Sequence, residues 1–236
     1  MPAAVAGRYV FYNGSAADSG DEAGDDAAIA TDKQALLAGQ TPSFANVTSY
    51  ARGINGVMLD VLRLPSGINL SAADFLFSVA DAASAGGSAV APAPQAVTVR
   101  RGAGANSSDR VTLTWPDGDI KNTWLRVTTL ANALTGLAAP DVFSFGNLVG
   151  DTGDSDAAPF RVNALDIAAV KRALHTDSDL TGRFDFNRDG RVNALDLAAV
   201  RGNLNRGLGA VLAPPAPSAG FTVLGVWDEG EPEVLG

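Results

Sequence analysis

Hydrophobic positions occur in short runs over the first part of the chain and at spacings of three and four near its end, so two kinds of element are predicted. Runs rich in Val, Phe, Thr and Tyr lie at 9–12, 46–50, 57–64, 75–79, 96–100, 111–115 and 124–130. They read as strands, in which successive side chains point to opposite faces. Turn-forming residues separate them. The clearest turn is Pro116-Asp117-Gly118-Asp119, which predicts a hairpin between 111–115 and 124–130. In the first of these runs Val111, Leu113 and Trp115 share a face. In the second Leu125 and Val127 share a face that excludes Trp124. Strands at this spacing imply an all-β sandwich or jelly roll over residues 1–144. A helical turn capped by Asp25 or Asp26 is expected within 25–37, and the low-complexity stretch 81–94 reads as a surface loop.

The helical spacing appears twice, in RVNALDIAAVKRAL (161–174) and RVNALDLAAVRGNL (191–204), which agree at most positions. This is an internal repeat. Leu165, Ile167, Val170 and Leu174 in the first copy, and Leu195, Leu197, Val200 and Leu204 in the second, predict one buried face per helix. Asp166 and Asp196 stand where each helix opens. A carboxylate there suits the helix dipole and can act as a cap. After the repeats, 209–220 reads as a Pro-rich linker, and 221–236 as a short strand (221–227) followed by an acidic tail. The expected fold class is multidomain β plus α, with the helical unit at 145–208.

Ahead of the second helix the chain reads DFNRDGRVNALD, 185–196. Asp185, Asn187, Asp189, Asn193 and Asp196 occupy positions one, three, five, nine and twelve of a twelve-residue loop, with Gly190 at six. Ca²⁺ takes six to eight oxygens, and a loop of this length wraps it when carboxylates and amides recur at these positions and glycine makes the sharp turn. Arg191 at seven would contribute its backbone carbonyl, and Val192 would anchor the loop to the core. The first loop is irregular: counting back from Asp166 gives Asn163 at nine but Pro159 at five and Ser155 at one. The stretch 151–166 is four residues longer than the second loop. Asp151, Asp154 and Asp156 are expected to supply its missing oxygens, alongside Asn163 and Asp166. Two Ca²⁺ ions are expected in all.

Two calcium loops, each followed by one helix with no helix entering it, resemble a dockerin of type I over about 145–208. An EF-hand pair has entering helices and usually Glu at position twelve, where this chain has Asp166 and Asp196. The resemblance implies a pair of loop-helix (F-hand) units related by a pseudo-two-fold axis, one helix face docking onto a cohesin, a β-sandwich module of a scaffold or cell-surface protein. Carried over by position, the recognition residues are Ala164, Leu165, Lys171 and Arg172, and Ala194, Leu195, Arg201 and Gly202. Many cellulosomal dockerins have a hydroxyl pair at positions ten and eleven. This chain has Ala-Leu in both repeats, which argues against a standard cellulosomal cohesin and implies a more apolar contact with a cohesin-like partner. The stretches 10–13, 49–61 and 136–147 resemble the β-rich module that precedes such repeats in large secreted bacterial proteins.

The net charge of −9 comes largely from acidic clusters at 18–32 and 151–156, with no basic stripe to neutralise phosphates, so nucleic acid is not an expected partner. Without cysteine there is no disulfide framework, and calcium is the expected staple. A calcium-rich setting outside the cytosol follows. The first residues lack a secretory-signal pattern and no transmembrane span appears, so the expectation is a portion of a longer exported polypeptide at the cell surface or beyond. The single His175 has no triad or metal pattern around it, and Glu is scarce before residue 229, so no catalytic role is expected. Two alternatives stand beside docking. In one the repeats are a calcium-stabilised end-piece on their own β-domain; in the other the β-domain is an accessory carbohydrate-binding region of a polysaccharide-degrading enzyme, with Trp124 beside Arg126 stacking on a sugar ring.

Overall fold

A computed structural model describes residues 1–80 and 89–210. The expected strand at 221–227, the acidic tail and nearly all of the Pro-rich linker lie outside the described residues, as does most of the 81–94 loop. In chain order the elements are β1 (Ala4–Val10), β2 (Leu36–Leu37), β3 (Val47–Thr48), β4 (Gly56–Leu62), β5 (Phe75–Ala80), β6 (Ala89–Val90), β7 (Ala96–Arg100), β8 (Asp109–Thr114), β9 (Trp124–Thr129), β10 (Asp141–Asn147), β11 (Phe160–Arg161), α1 (Ala164–Ala173), α2 (Ala194–Gly202) and β12 (Gly207–Leu208). Short 3-10 turns intervene. The fold is mostly β sheet, with the two helices at the C-terminal end.

One antiparallel sheet has the order β1-β4-β8-β7. A second has the order β2-β10-β9-β5-β6, and β3 joins β10 in parallel. Val57, Leu59, Val61, Val111, Leu113 and Trp115 from the first sheet meet Phe75, Leu125, Val127, Phe143 and Phe145 from the second in one core. Each expected strand run overlaps a strand. β10 was not foreseen, although Phe143 and Phe145 alternate along it, and it continues to Asn147, across the position where the sequence placed the boundary.

The expected hairpin at Pro116–Asp119 is corrected, because β8 and β9 belong to different sheets. Both flanks of each strand are already paired, β8 between β4 and β7 and β9 between β10 and β5. Their apolar faces meet across the core, so the intervening segment crosses from sheet to sheet. It is held by Gly118 N donating to Arg52 O and Ile54 N to Ile120 O, both at 2.8 Å. The helical turn expected within 25–37 is a 3-10 turn at Gly24–Ala28. Its start is held by Asp21, which accepts from Gly24 N at 2.5 Å, while Asp26 pairs with Arg100 and Arg110.

The helices pack on the sheets. A second core joins Leu36, Phe44, Val47, Trp124 and Leu148 to Phe160, Val162, Val170, Phe186, Val192, Val200 and Leu208. Trp124 does point away from the inter-sheet core, as the alternation requires, but it is only 2% exposed, and its Nε1 donates to Gly209 O at 2.8 Å. The expected exposed sugar platform is therefore corrected: the ring is covered by the helical segment. The expected helix faces change as well. Val170 and Val200 are fully buried, but Leu165 and Leu195 are 64% and 63% exposed. Five residues before Val200, Leu195 lies about 140° around the helix at 3.6 residues per turn. β11 pairs with β12 and ties the start of the helical segment to its end. Among the described residues no helix is long and apolar enough to cross a membrane.

Candidate metal centres

α2 begins behind a reciprocal cap. Asn193 Oδ1 accepts from Leu195 N at 2.7 Å, and Asp196 Oδ2 accepts from Asn193 N at 2.9 Å. The N-cap is thus Asn193, with Asp196 one turn inside. The other oxygen of Asp196 accepts from Phe186 N at 2.6 Å, which closes position twelve onto position two. Asp185 accepts from Gly190 N at 2.9 Å and from Asp189 N at 3.2 Å. Gly190 turns with φ +90°, a conformation that an L side chain rarely adopts. Asn187 and Asn193 donate side-chain N–H groups to Asp189 Oδ2 at 2.8 and 3.0 Å. Asp185, Asn187, Asp189, Asn193 and Asp196 are thus linked by hydrogen bonds within one loop. The oxygen of Asn193 is committed to the cap, and a ninth-position ligand often acts through water. Arg191 forms an isolated bridge with Asp177 and its side chain faces solvent.

The first loop reaches the same arrangement by a different route. Asn163 Oδ1 accepts from Leu165 N at 2.7 Å and Asp166 Oδ2 from Asn163 N at 2.8 Å. Asp166 Oδ1 accepts from Thr152 N at 2.8 Å and Thr152 Oγ1 at 2.7 Å, so Thr152 stands where Phe186 stands and Asp151 where Asp185 does. Asn163 donates to Asp154 Oδ2 at 2.7 Å, as Asn193 does to Asp189. Asp154 therefore stands where Asp189 does. Asp151, Asp154 and Asp166 each place a carboxylate oxygen within 4.8 Å of the others. Asp151 is buried, and its Oδ2 has no hydrogen-bond partner. Such an oxygen facing two further carboxylates is suited to a divalent cation. Asp156, expected as a further ligand, is placed elsewhere: it accepts from Phe44 N at 3.3 Å.

The four extra residues thus have a use. Ala157 bridges Ser43, Asp156 holds the turn at Phe44–Asn46, and Gly153 (φ +73°) lies so close to Phe44 that a Cβ would sit 2.6 Å from its ring. The second loop is seated too. Ala51 N donates to Phe186 O at 2.6 Å and Ala16 N to Arg188 O at 2.9 Å. Arg188, Phe186 and Thr152 escaped the sequence reading. A basic residue among the ligands of an acidic loop was the available signal.

Burial pushes Asp151 up to about 7, with Asp166 and Asp154 adding to the shift and the Gly153 N–H opposing it. Burial also raises Asp185, opposed by the Gly190 N–H. A carboxylate whose folded pKa exceeds its unfolded one stabilises the fold at low pH and loses that contribution as pH rises through the folded value. In chelator, the thermal midpoint is accordingly expected to fall as pH rises from about 4 to above 7. With saturating calcium, which requires the ionised form, that fall should vanish. Calorimetric scans across this range check both statements, and a midpoint in chelator that is independent of pH would contradict them.

Ala164, Leu165, Lys171, Arg172, Ala194, Leu195, Arg201 and Gly202 are all exposed. Paired acidic loops, each closed by the cap of one helix, define a duplicated loop-and-helix unit. The family model of the dockerin type I domain matches residues 160–205, so this stretch is dockerin-like. Neither a comparison with curated proteins nor one with solved structures finds a match.

Proposed function

We propose that the chain is a non-catalytic, calcium-dependent docking module of an exported protein, with a β-sandwich-like region over about 1–144 and a dockerin-like unit over about 145–208. A cohesin-like partner is seated on the outer helix face. The observation that carries this reading is the placement of Leu165 and Leu195. These large apolar side chains occupy equivalent positions in the two repeats, face solvent, and share their helices with the exposed cations Lys171, Arg172 and Arg201. Calcium, when bound, balances the loop carboxylates. The chain's own groups do the rest: the Asn-Asp caps fix where each helix starts, and the core fixes which face each helix presents.

The shared core supports a second reading, in which the repeats are an end-piece on their own β region. The two readings use opposite helix faces and are compatible. The test is a pull-down from the producing cell's exported proteins, with and without chelator. Calcium-dependent retention of a β-sandwich module is expected, weakened about tenfold or more by the double variant Leu165→Asp/Leu195→Asp. No calcium-dependent retention, or retention indifferent to the double variant, would count against docking at this face.

A further inference from the structure

We propose that Arg188 couples metal occupancy of the second loop to the strand region, so that α2, β1 and β4 open and close as one calcium-dependent unit. The proposal rests on the calcium reading given above. Arg188 is the fourth residue of the loop, between the ligand positions Asn187 and Asp189, yet it is buried. One guanidinium nitrogen donates to Gly182 O at 2.7 Å and to the carbonyl of Asp185 itself. The other reaches Tyr12 Oη at 3.4 Å and Ser49 Oγ at 3.5 Å, and the guanidinium carbon lies 4.7 Å from the centre of the Tyr12 ring.

Those acceptors belong to the core of the β region. Tyr12 lies just after β1 and packs on Tyr50 at 4.9 Å between ring centres; the Tyr50 hydroxyl donates to Asn13 O at 3.0 Å, and Tyr50 O accepts from Asn147 Nδ2, also at 3.0 Å. The loop backbone is held from both sides by Ala16 and Ala51. A guanidinium cannot lose its proton to escape such a site, and leaving it buried without acceptors is strongly unfavourable. If the second loop shifts when no cation balances its carboxylates, Asp185 O moves and Arg188 loses that acceptor. It must then follow the loop away from the Tyr12 ring or stay with Gly182 O as the remaining carbonyl acceptor of that nitrogen. The first outcome loosens the packing after β1. By that route, stabilisation gained on binding calcium extends to strands that carry no ligand.

Hydrogen exchange read by mass spectrometry on the whole chain tests this, in chelator and at free calcium about 100 times Kd. The slowest amides of β1 and β4 should gain about a hundredfold in protection, in parallel with those of α2. In Arg188→Met the gain should remain in α2 and disappear from β1 and β4. Should that variant fail to fold, Tyr12→Phe removes one acceptor while keeping the ring, and should reduce the gain in the strands relative to α2. A gain confined to the helices of the unaltered chain, with calcium binding evident by calorimetry, would overturn the coupling alone. Undiminished gain in the strands of Arg188→Met would overturn the assignment to Arg188. Calorimetry showing no calcium binding at the second loop would overturn the calcium reading together with the coupling.

Discussion

Asp196→Ala is expected to abolish calcium binding at the second loop and to cost stability even in chelator. Asp196 is fully buried, and its two oxygens accept from Phe186 N and Asn193 N. Alanine removes the proposed ligand carboxylate and the reciprocal half of the cap of α2, and it leaves two backbone N–H groups without acceptors. Each orphaned buried donor costs about 1–3 kcal/mol, so a loss of about 3 kcal/mol or more is expected before any metal is added. Calorimetry should count one ion fewer, and urea unfolding in chelator should read the stability loss. Asp196→Asn separates the two effects. It keeps a carbonyl acceptor, so it should lose the ion with a smaller loss of stability. Unchanged stoichiometry in the alanine variant would mean that Asp196 is not a ligand.

Trp124→Ala should be comparably severe, at about 3–5 kcal/mol, the range for truncating a large buried aromatic side chain. The ring fills the space between the second sheet and the helices, and its indole N–H has a partner in Gly209. Urea unfolding of the whole chain measures the loss, and Leu165→Ala, on the exposed face, serves as a control expected within about 0.5 kcal/mol of the unaltered chain. A Trp124→Ala loss as small as that of the control would show that this interface contributes little. No glycan affinity should depend on this ring in the folded chain, because it is not accessible to a sugar.

Legibility in the sequence followed the range of the interaction. The pattern in the second loop is local: five oxygen-bearing positions and one sharp turn fall within twelve residues, and hydrogen bonds link them in the structure. Strand runs were readable for the same reason, since alternation is a property of neighbours. Strand partners were not: the turn at Pro116–Asp119 has a hairpin's composition, and only the pairing of β8 with β4 and β7 excludes the hairpin. Trp124 shows the same limit. Alternation correctly turned it from the inter-sheet core, but its partners lie more than forty residues away: its indole N–H reaches Gly209, and it shares a core with Val170, Phe186 and Val200. In the first loop the count failed at Pro159 because the added residues serve Phe44 rather than the ligand set. Asp154 could be placed only once Asn163 was seen to reach it.

The path from the strands into the first loop contains little slack. Leu148 N donates to Thr48 O at 2.9 Å, Val149 N to the side chain of Asn122 at 2.8 Å, and Asp151 N back to Leu148 O at 3.3 Å. Asn122 also donates to Asn203 at the end of α2, at 2.9 Å. A module hung on a loose tether gives its binding partner a hold on the chain but no control of its heading. Here a partner gripping Leu165 and Leu195 would also set the direction in which the sheets point, so that attachment and aim become a single event.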